Sequence, residues 1–262
     1  MKPQSQTQVI EWSPSTIFED LERMVRTTCT DKKYKGLIIT GLPGTGKTFN
    51  VKRVLKSIYG KPENVVLKKG YCTPREFYNT LCEVKTHLKQ KVLVYDDCDS
   101  ILDDKVTVNI IKGALDPDHD PISWGASGAT FNFERQIAPD GLANWALYDQ
   151  LIAKGKVPSQ VIYDKPIIII SNKYKSKIDT AILSRCFHID VSLSPAHMMS
   201  HLTKIIKYMS TAVDMKLRQD VLEYMNEAEC GVDLNIRTLD KAIAIASGNP
   251  LNWKEIVDKY IR

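Results

Sequence analysis

The sequence predicts an α/β protein: a three-layer αβα core around a parallel sheet, followed by a small all-helical domain. Three observations predict it. Short, almost wholly apolar runs (Leu37-Ile38-Ile39-Thr40, Val92-Leu93-Val94-Tyr95 and Ile167-Ile168-Ile169-Ile170) read as strands buried on both faces. Between the first two of them lie segments with apolar residues three and four apart, the spacing of crossover helices. From Ser194 onward only the helical spacing remains.

A chain of 262 residues has room for such a core and a second, smaller domain. With 43% hydrophobic and 26% charged residues it has the balance of a soluble protein. No run approaches the roughly 18 apolar residues of a membrane span, and the polar start Met1-Lys2-Pro3-Gln4-Ser5-Gln6 lacks a signal-peptide core. The expectation is a cytoplasmic protein with no membrane partner. The six cysteines (Cys29, Cys72, Cys82, Cys98, Cys186 and Cys230) are scattered without a C-x-x-C pair, which indicates neither a disulfide framework nor a zinc site. A net charge of +5 is compatible with an acidic partner and does not by itself establish nucleic-acid binding.

Residues 1–14 read as an N-terminal arm. Ser15-Thr16 then open a helix whose apolar positions are Ile17, Phe18, Leu21, Met24 and Val25. The first strand runs into Gly41-Leu42-Pro43-Gly44-Thr45-Gly46-Lys47-Thr48, a complete G-x-x-x-x-G-K-T phosphate-binding loop. Its glycines let backbone N–H groups turn inward around a triphosphate, Lys47 reaches the β- and γ-phosphates, and the Thr48 hydroxyl ligates Mg²⁺. Phe49 begins the helix that follows, so the phosphates would lie on a helix N-terminus. The candidate nucleotide-binding residues are therefore Gly41, Pro43, Gly44, Thr45, Gly46, Lys47, Thr48 and Phe49, with ATP and Mg²⁺ as the implied ligands.

Asn64-Val65-Val66-Leu67 reads as a second strand, with Thr73-Pro74 opening a helix through Phe77, Tyr78, Leu81, Val84 and Leu88. Tyr71, in the loop between them, reads as a pore residue facing a threaded substrate, as a buried residue, or as one involved only in capping the next helix. The strand at Val92 ends in Asp96-Asp97, the form of the second nucleotide motif: Asp96 for the metal and Asp97 for polarising the attacking water. Asp99 and Asp103 read as a helix N-cap and a solvated face.

A helix through Val106, Ile110, Ile111 and Leu115 stops at Asp116-Pro117-Asp118-His119-Asp120-Pro121, an exposed turn. Residues 116–160 form an insertion in which Ile122-Ser123-Trp124 and Thr130-Phe131-Asn132-Phe133 flank Gly125–Ala129, the pattern of a hairpin. A helix is expected over Leu142–Leu151, with Trp145 and Tyr148 on one side, packing on the core or touching a substrate. The buried strand at Ile167 then carries Asn172 to its tip, beside the phosphate loop, where it could orient the attacking water or meet the γ-phosphate. Helices follow near 195–212, 214–228, 236–247 and 252–261. His197 and His201 are four apart, without a third ligand in view for a metal.

Phosphate loop, acidic strand end, Asn172 and Ser184-Arg185-Cys186 come in the order of the AAA+ ATPases, which the chain resembles over roughly residues 15–250. The stretch from Asn172-Lys173-Tyr174-Lys175 to Leu183-Ser184-Arg185-Cys186 is similar to clamp-loader small subunits of the replication factor C type. That resemblance implies that Arg185 reaches a neighbouring subunit's ATP as a finger. It also makes Arg237, in Asn235-Ile236-Arg237-Thr238-Leu239, the second sensor on the γ-phosphate of its own subunit. Two departures stand out: the insertion is longer than in clamp loaders, and Asp97 replaces the usual glutamate. A short module with such an insertion resembles the small ATPases of tailed bacteriophages, which would place it in a host cytoplasm.

The implied organisation is an arm (1–14), an AAA+ nucleotide-binding domain (15–193) and a helical lid domain (194–262). The implied activity is hydrolysis of ATP with Mg²⁺ at the interfaces of a homo-oligomeric ring or arc, a hexamer being one such ring. The implied output is remodelling or translocation of a macromolecular substrate, protein or DNA. The alternatives are a loader or switch acting on DNA in replication or packaging, and a nucleotide-gated scaffold with little hydrolysis.

Overall fold

In a computed structural model the residues described are 14–87, 89–125, 130–138, 143–227 and 234–261. Nearly all of the N-terminal arm, Leu88, most of the Gly125–Ala129 loop, Leu142 and Cys230 lie outside them.

Helix α1 (Pro14–Thr30) buries Ile17, Leu21 and Val25, a stripe at the spacing expected of an amphipathic helix. Strand β1 (Gly36–Thr40) is buried at every position and leads through the phosphate loop into α2 (Lys47–Tyr59). A 3₁₀ turn precedes β2 (Val65–Lys69). Helix α3 (Pro74–Thr86) starts where Thr73 accepts the Glu76 N–H and Pro74 takes the first turn, which needs no N–H donor. Strand β3 (Val92–Asp96) is buried throughout and is followed by α4 (Ser100–Asp103) and α5 (Lys105–Ala114), the latter capped by Asp104.

The insertion contains β4 (Ile122–Ser123), β5 (Thr130–Phe131), α6 (Phe133–Gln136), α7 (Trp145–Ala153), β6 (Val157–Pro158) and β7 (Gln160–Val161). The expected hairpin does not form. β4 pairs antiparallel with β7 and β5 pairs parallel with β6, so both strands find partners after α7 rather than in each other. Buried Tyr78 of α3 explains the arrangement, because its hydroxyl reaches the carbonyls of both Ile122 and Pro158 and ties the two pairs to one anchor. Tyr148 is buried against Phe131 and Phe133, whereas Trp145 at the start of α7 stays 41% exposed.

Strand β8 (Ile167–Ile170), α8 (Thr180–Leu183) and β9 (Phe187–Asp190) complete a five-stranded parallel sheet of order β2-β3-β8-β1-β9. One face (Ile38, Leu93, Tyr95, Ile167 and Ile169) shares a core with Phe77 and Leu81 of α3, Ile111 of α5 and Ile182 of α8. The opposite face carries α2, whose Val51 and Leu55 line a cleft with Val94 and Ile170. The chain leaves β1 toward one edge and β8 toward the other, so the carboxyl ends of these central neighbours form the crevice where ligands collect in open α/β sheets.

The remaining helices are α9 (Pro195–Ile205), α10 (Met215–Glu227), α11 (Ile236–Gly248) and α12 (Trp253–Tyr260), packed around Leu202, Val221, Leu239, Ile243 and Val257. The helix expected near 195–212 ends at Ile205 and tightens into a 3₁₀ turn through Tyr208. Buried Arg218 is the reason: its Nη1 donates to the carbonyls of Ile206, Lys207 and Met209, which pulls the chain off the helical path.

Two compact units result. The larger comprises Glu22–Gly41 and Lys47–Asp190; the smaller comprises the chain up to Leu21, Leu42–Gly46 and Val191 onward. No described helix is long and apolar enough to cross a membrane.

Candidate functional site

In the larger unit the parallel register aligns the ends of β3 and β8, with Asp96 opposite Ile170, and brings the residues that follow them together. Asp96 is fully buried, and its Oδ1 accepts the Thr48 hydroxyl at 2.7 Å. Lys47 is buried as well; its ammonium donates to the Gly41 carbonyl at 2.7 Å and to Asn172 Oδ1 at 3.0 Å. The Asn172 amide donates in turn to Asp97 Oδ1 at 2.9 Å. Asp97 holds a left-handed backbone (φ 53°), sparsely populated for a non-glycine residue, and its N–H donates to the Ile170 carbonyl. The sequence-predicted residues thus form two adjoining hydrogen-bonded sets, Lys47–Asn172–Asp97 and Thr48–Asp96.

Asn172 is framed by its neighbours. Ser171, fully buried, donates its hydroxyl to Asp99 at 2.6 Å and accepts the Lys173 N–H, while the Lys173 ammonium pairs with Asp103 at 2.7 Å. The expectation that Asp99 caps a helix is corrected here: it occupies the cap position of α4 but makes no capping bond, because its carboxylate is taken by Ser171. Asp103 lies on a solvated face as expected, its side chain 63% exposed, and is also the partner of Lys173.

One functional neighbour was missed by sequence reasoning. Lys69 ends β2 directly opposite Asp96, and its ammonium lies 2.6 Å from Asp96 Oδ2. Sequence shows a lysine at the end of an edge strand; only the strand register makes it a partner of Asp96. Tyr71, two residues on, is 78% exposed, which removes the reading of a buried residue. Phe49 is also exposed, at 70%.

Arg185 is held locally. Its Nη1 donates to the Ala181 carbonyl at 2.9 Å, and its Nε lies 3.5 Å from Asp116, a residue of the insertion's first turn. About a third of its side chain remains accessible.

In the smaller unit the phosphate-loop segment meets the start of α11. Gly44 adopts φ 76°, and its carbonyl accepts the Ile236 N–H at 3.1 Å. A Cβ placed on Gly44 would fall 2.4 Å from Asn235 Oδ1, so glycine is required by both conformation and space. Asn235 caps α11, accepting the Arg237 and Thr238 N–H groups while Thr238 Oγ1 accepts the Asn235 N–H. Arg237 is exposed on the first turn of that helix. Thr45, buried, closes its own turn onto the Leu42 carbonyl. His201 stacks on Phe18 at 4.3 Å between ring centres.

The donor set suits a nucleotide with magnesium. In the larger unit, buried Asp96 and the Thr48 hydroxyl offer hard oxygen ligands; within the loop segment of the smaller unit, Gly44 and Gly46 have positive φ, a backbone form that turns N–H groups toward an anion.

The fold is an α/β core around a parallel sheet, with a phosphate-binding loop after its first strand, followed by a helical region. Three solved structures share it at low sequence identity. A protein described as a DNA replication initiation factor is similar with a TM-score of 0.51 and 13% identity, covering 97% of this chain; this chain spans 66% of that one. Domain III of the replication initiation protein DnaA from Thermotoga maritima gives 0.50 and 14%, covering 97% of this chain and 94% of that domain. A RuvB variant from Thermotoga maritima gives 0.52 and 11%, covering 94% and 68%. No protein family profile and no curated protein sequence matches the chain.

Proposed function

We propose that this chain is an ATPase of the AAA+ kind that works as a homo-oligomer on a macromolecular substrate. The observation that carries the reading is the hydrogen-bonded series Lys47–Asn172–Asp97 beside the Thr48–Asp96 pair. Lys47 and the backbone amides of residues 41–48 bind the phosphates; Thr48 and Asp96 are the groups that would hold Mg²⁺. When bound, the metal neutralises phosphate charge during transfer of the γ-phosphoryl group. Asp97 accepts the proton of the attacking water, and Asn172 holds that carboxylate in place. Arg185 of an adjacent copy and Arg237 of the same copy supply positive charge as the bond to the leaving phosphate breaks. Asp97 is one methylene shorter than glutamate, which favours slow turnover.

The test is ATPase rate per subunit against protein concentration, with mass by light scattering, for wild type and Arg185→Ala. Turnover that rises as an ATP-dependent oligomer forms, and is lost in Arg185→Ala with ATP binding kept, supports the reading. A concentration-independent rate shared by both proteins sinks the shared site. Turnover unchanged by Asp97→Asn would make a nucleotide-gated scaffold the better account.

A second reading, a loader or switch acting on DNA, is favoured by similarity to two structures described as replication initiation proteins. Exposed Tyr71, between Lys69 and the start of α3, is the candidate contact. Stimulation of turnover by DNA, falling steeply with salt, supports this reading, and indifference to DNA removes it.

A further inference from the structure

We propose that Lys69 is a built-in counter-ion of Asp96 that magnesium has to displace, so that this lysine sets how strongly nucleotide binding depends on the metal. The proposal rests on the nucleotide-site reading above.

The pairing is imposed by the sheet. The β2–β3 register runs from Val65 opposite Val92 to Lys69 opposite Asp96, so the two charged residues emerge together at the carboxyl ends of adjacent strands. The Asp96 side chain has no solvent exposure, and a buried carboxylate without a counter-charge is costly. One of its oxygens takes the Thr48 hydroxyl at 2.7 Å; the other has no aligned hydrogen-bond donor among the described residues and sits 2.6 Å from the Lys69 ammonium. Burial is one-sided, because the Lys69 side chain is 52% exposed. The ammonium can therefore leave for water at small cost, whereas the carboxylate cannot. Gly70 follows at φ 83°, with nothing among the described residues within 4 Å of where its Cβ would stand.

Thr48 and Asp96 are also the two groups suited to a hard divalent cation. Ammonium and metal thus compete for the same carboxylate. Without metal, Lys69 offsets a negative charge that would repel a nucleotide's phosphates; with metal, it is released. Lys68, its neighbour, lies 3.9 Å from Glu76 instead and serves as the internal control.

The experiment compares the affinity of fluorescent ADP in MgCl₂ and in EDTA for wild type, Lys69→Gln and Lys68→Gln. The ratio of Kd in EDTA to Kd in magnesium is expected to rise about fivefold in Lys69→Gln, the scale of a half-exposed ion pair, and to stay at the wild-type value in Lys68→Gln. Lys69→Arg, which keeps the charge, should remain within about twofold of wild type. Lys69→Met is a second neutral variant with the same expectation as the glutamine, used if the latter fails to fold. An unchanged or smaller ratio in the neutral variant, with wild type responding to magnesium, overturns the counter-ion and leaves the nucleotide site standing. An arginine variant that behaves like the neutral one overturns it too. Absence of ADP binding by wild type overturns the nucleotide-site reading and the proposal with it.

Discussion

Asn172 donates its side-chain amide to Asp97 at 2.9 Å, and through its carbonyl oxygen it accepts the ammonium of Lys47 at 3.0 Å. One side chain therefore links the lysine proposed to bind phosphate to the carboxylate that receives a proton in the proposed hydrolysis. Replacing it should leave binding largely intact and disturb chemistry. Asn172→Ala is expected to lower kcat by about 10² while ADP affinity changes little, the scale seen when one oriented donor is removed from a reacting centre. Steady-state ATPase assays beside ADP titrations check this; an equal loss in both would make Asn172 a binding residue.

Arg185 makes its contact with Asp116 at 3.5 Å in a partly exposed pair, an arrangement that holds the guanidinium without sequestering it. In Arg185→Ala the rate should fall by about 10³ or more, as for arginines supplied across an interface. Asp116→Ala should cost only about two- to fivefold, because a partly exposed pair is weak and Arg185 keeps its bond to the Ala181 carbonyl. Rates measured on the assembled species separate the two. Equal losses would mean that Asp116, and not the arginine alone, is needed.

Much of this architecture was legible because each core strand is buried on both faces. Apolar runs such as Ile167–Ile170 leave one reading, and the loop after β1 points to phosphate and metal binding by Lys47 and Thr48 through residue type and spacing. The insertion was harder, since its strands are two residues long and pair with distant segments, so local turn signals around Gly125 pointed to a hairpin that is absent. The same limit hid Lys69. Its partner is decided by register between β2 and β3, a property of the sheet rather than of either strand. Asp99 shows the reverse case: its position suits a cap, but Ser171, far along the chain, wins the carboxylate.

Gly44 and Asn235 offer a test of how the smaller unit is built. Gly44→Ala meets two obstacles, a left-handed φ that disfavours any Cβ and the Asn235 oxygen 2.4 Å from it. A loss of about 1–2 kcal/mol is expected from conformation alone, with more from the clash. Asn235→Ala removes the α11 cap and should cost about 1 kcal/mol, a fall of a few degrees in Tm. In the double variant the contacts at 2.4 and 2.7 Å are gone, while a tight 3.1 Å contact with the remaining Cβ and the backbone strain stay, so the combined loss should be smaller than the sum. Denaturation curves for the four proteins give the coupling, and strict additivity would mean that the two residues do not meet.

His188 of β9 supplies a pH test. Its Nε2 lies 3.0 Å from the Thr40 hydroxyl on the neighbouring strand, and its pKa is held below the usual histidine value, first by burial and then by the Lys175 charge, against a smaller opposing pull from Asp190. His201, stacked on Phe18, is lowered in the same direction by burial and then by Lys204. A histidine with a depressed pKa in the folded state binds fewer protons folded than unfolded, so stability rises with pH across the window between the two pKa values. The contribution is complete above the unfolded pKa of about 6.5 and is lost as pH falls from there through the folded value. Tm should therefore drop as pH falls below about 6.5, and His188→Gln, which keeps a hydrogen-bonding group beside Thr40 but cannot titrate, should flatten part of that drop. An identical pH dependence in the variant would assign the loss to His201 and the carboxylates instead.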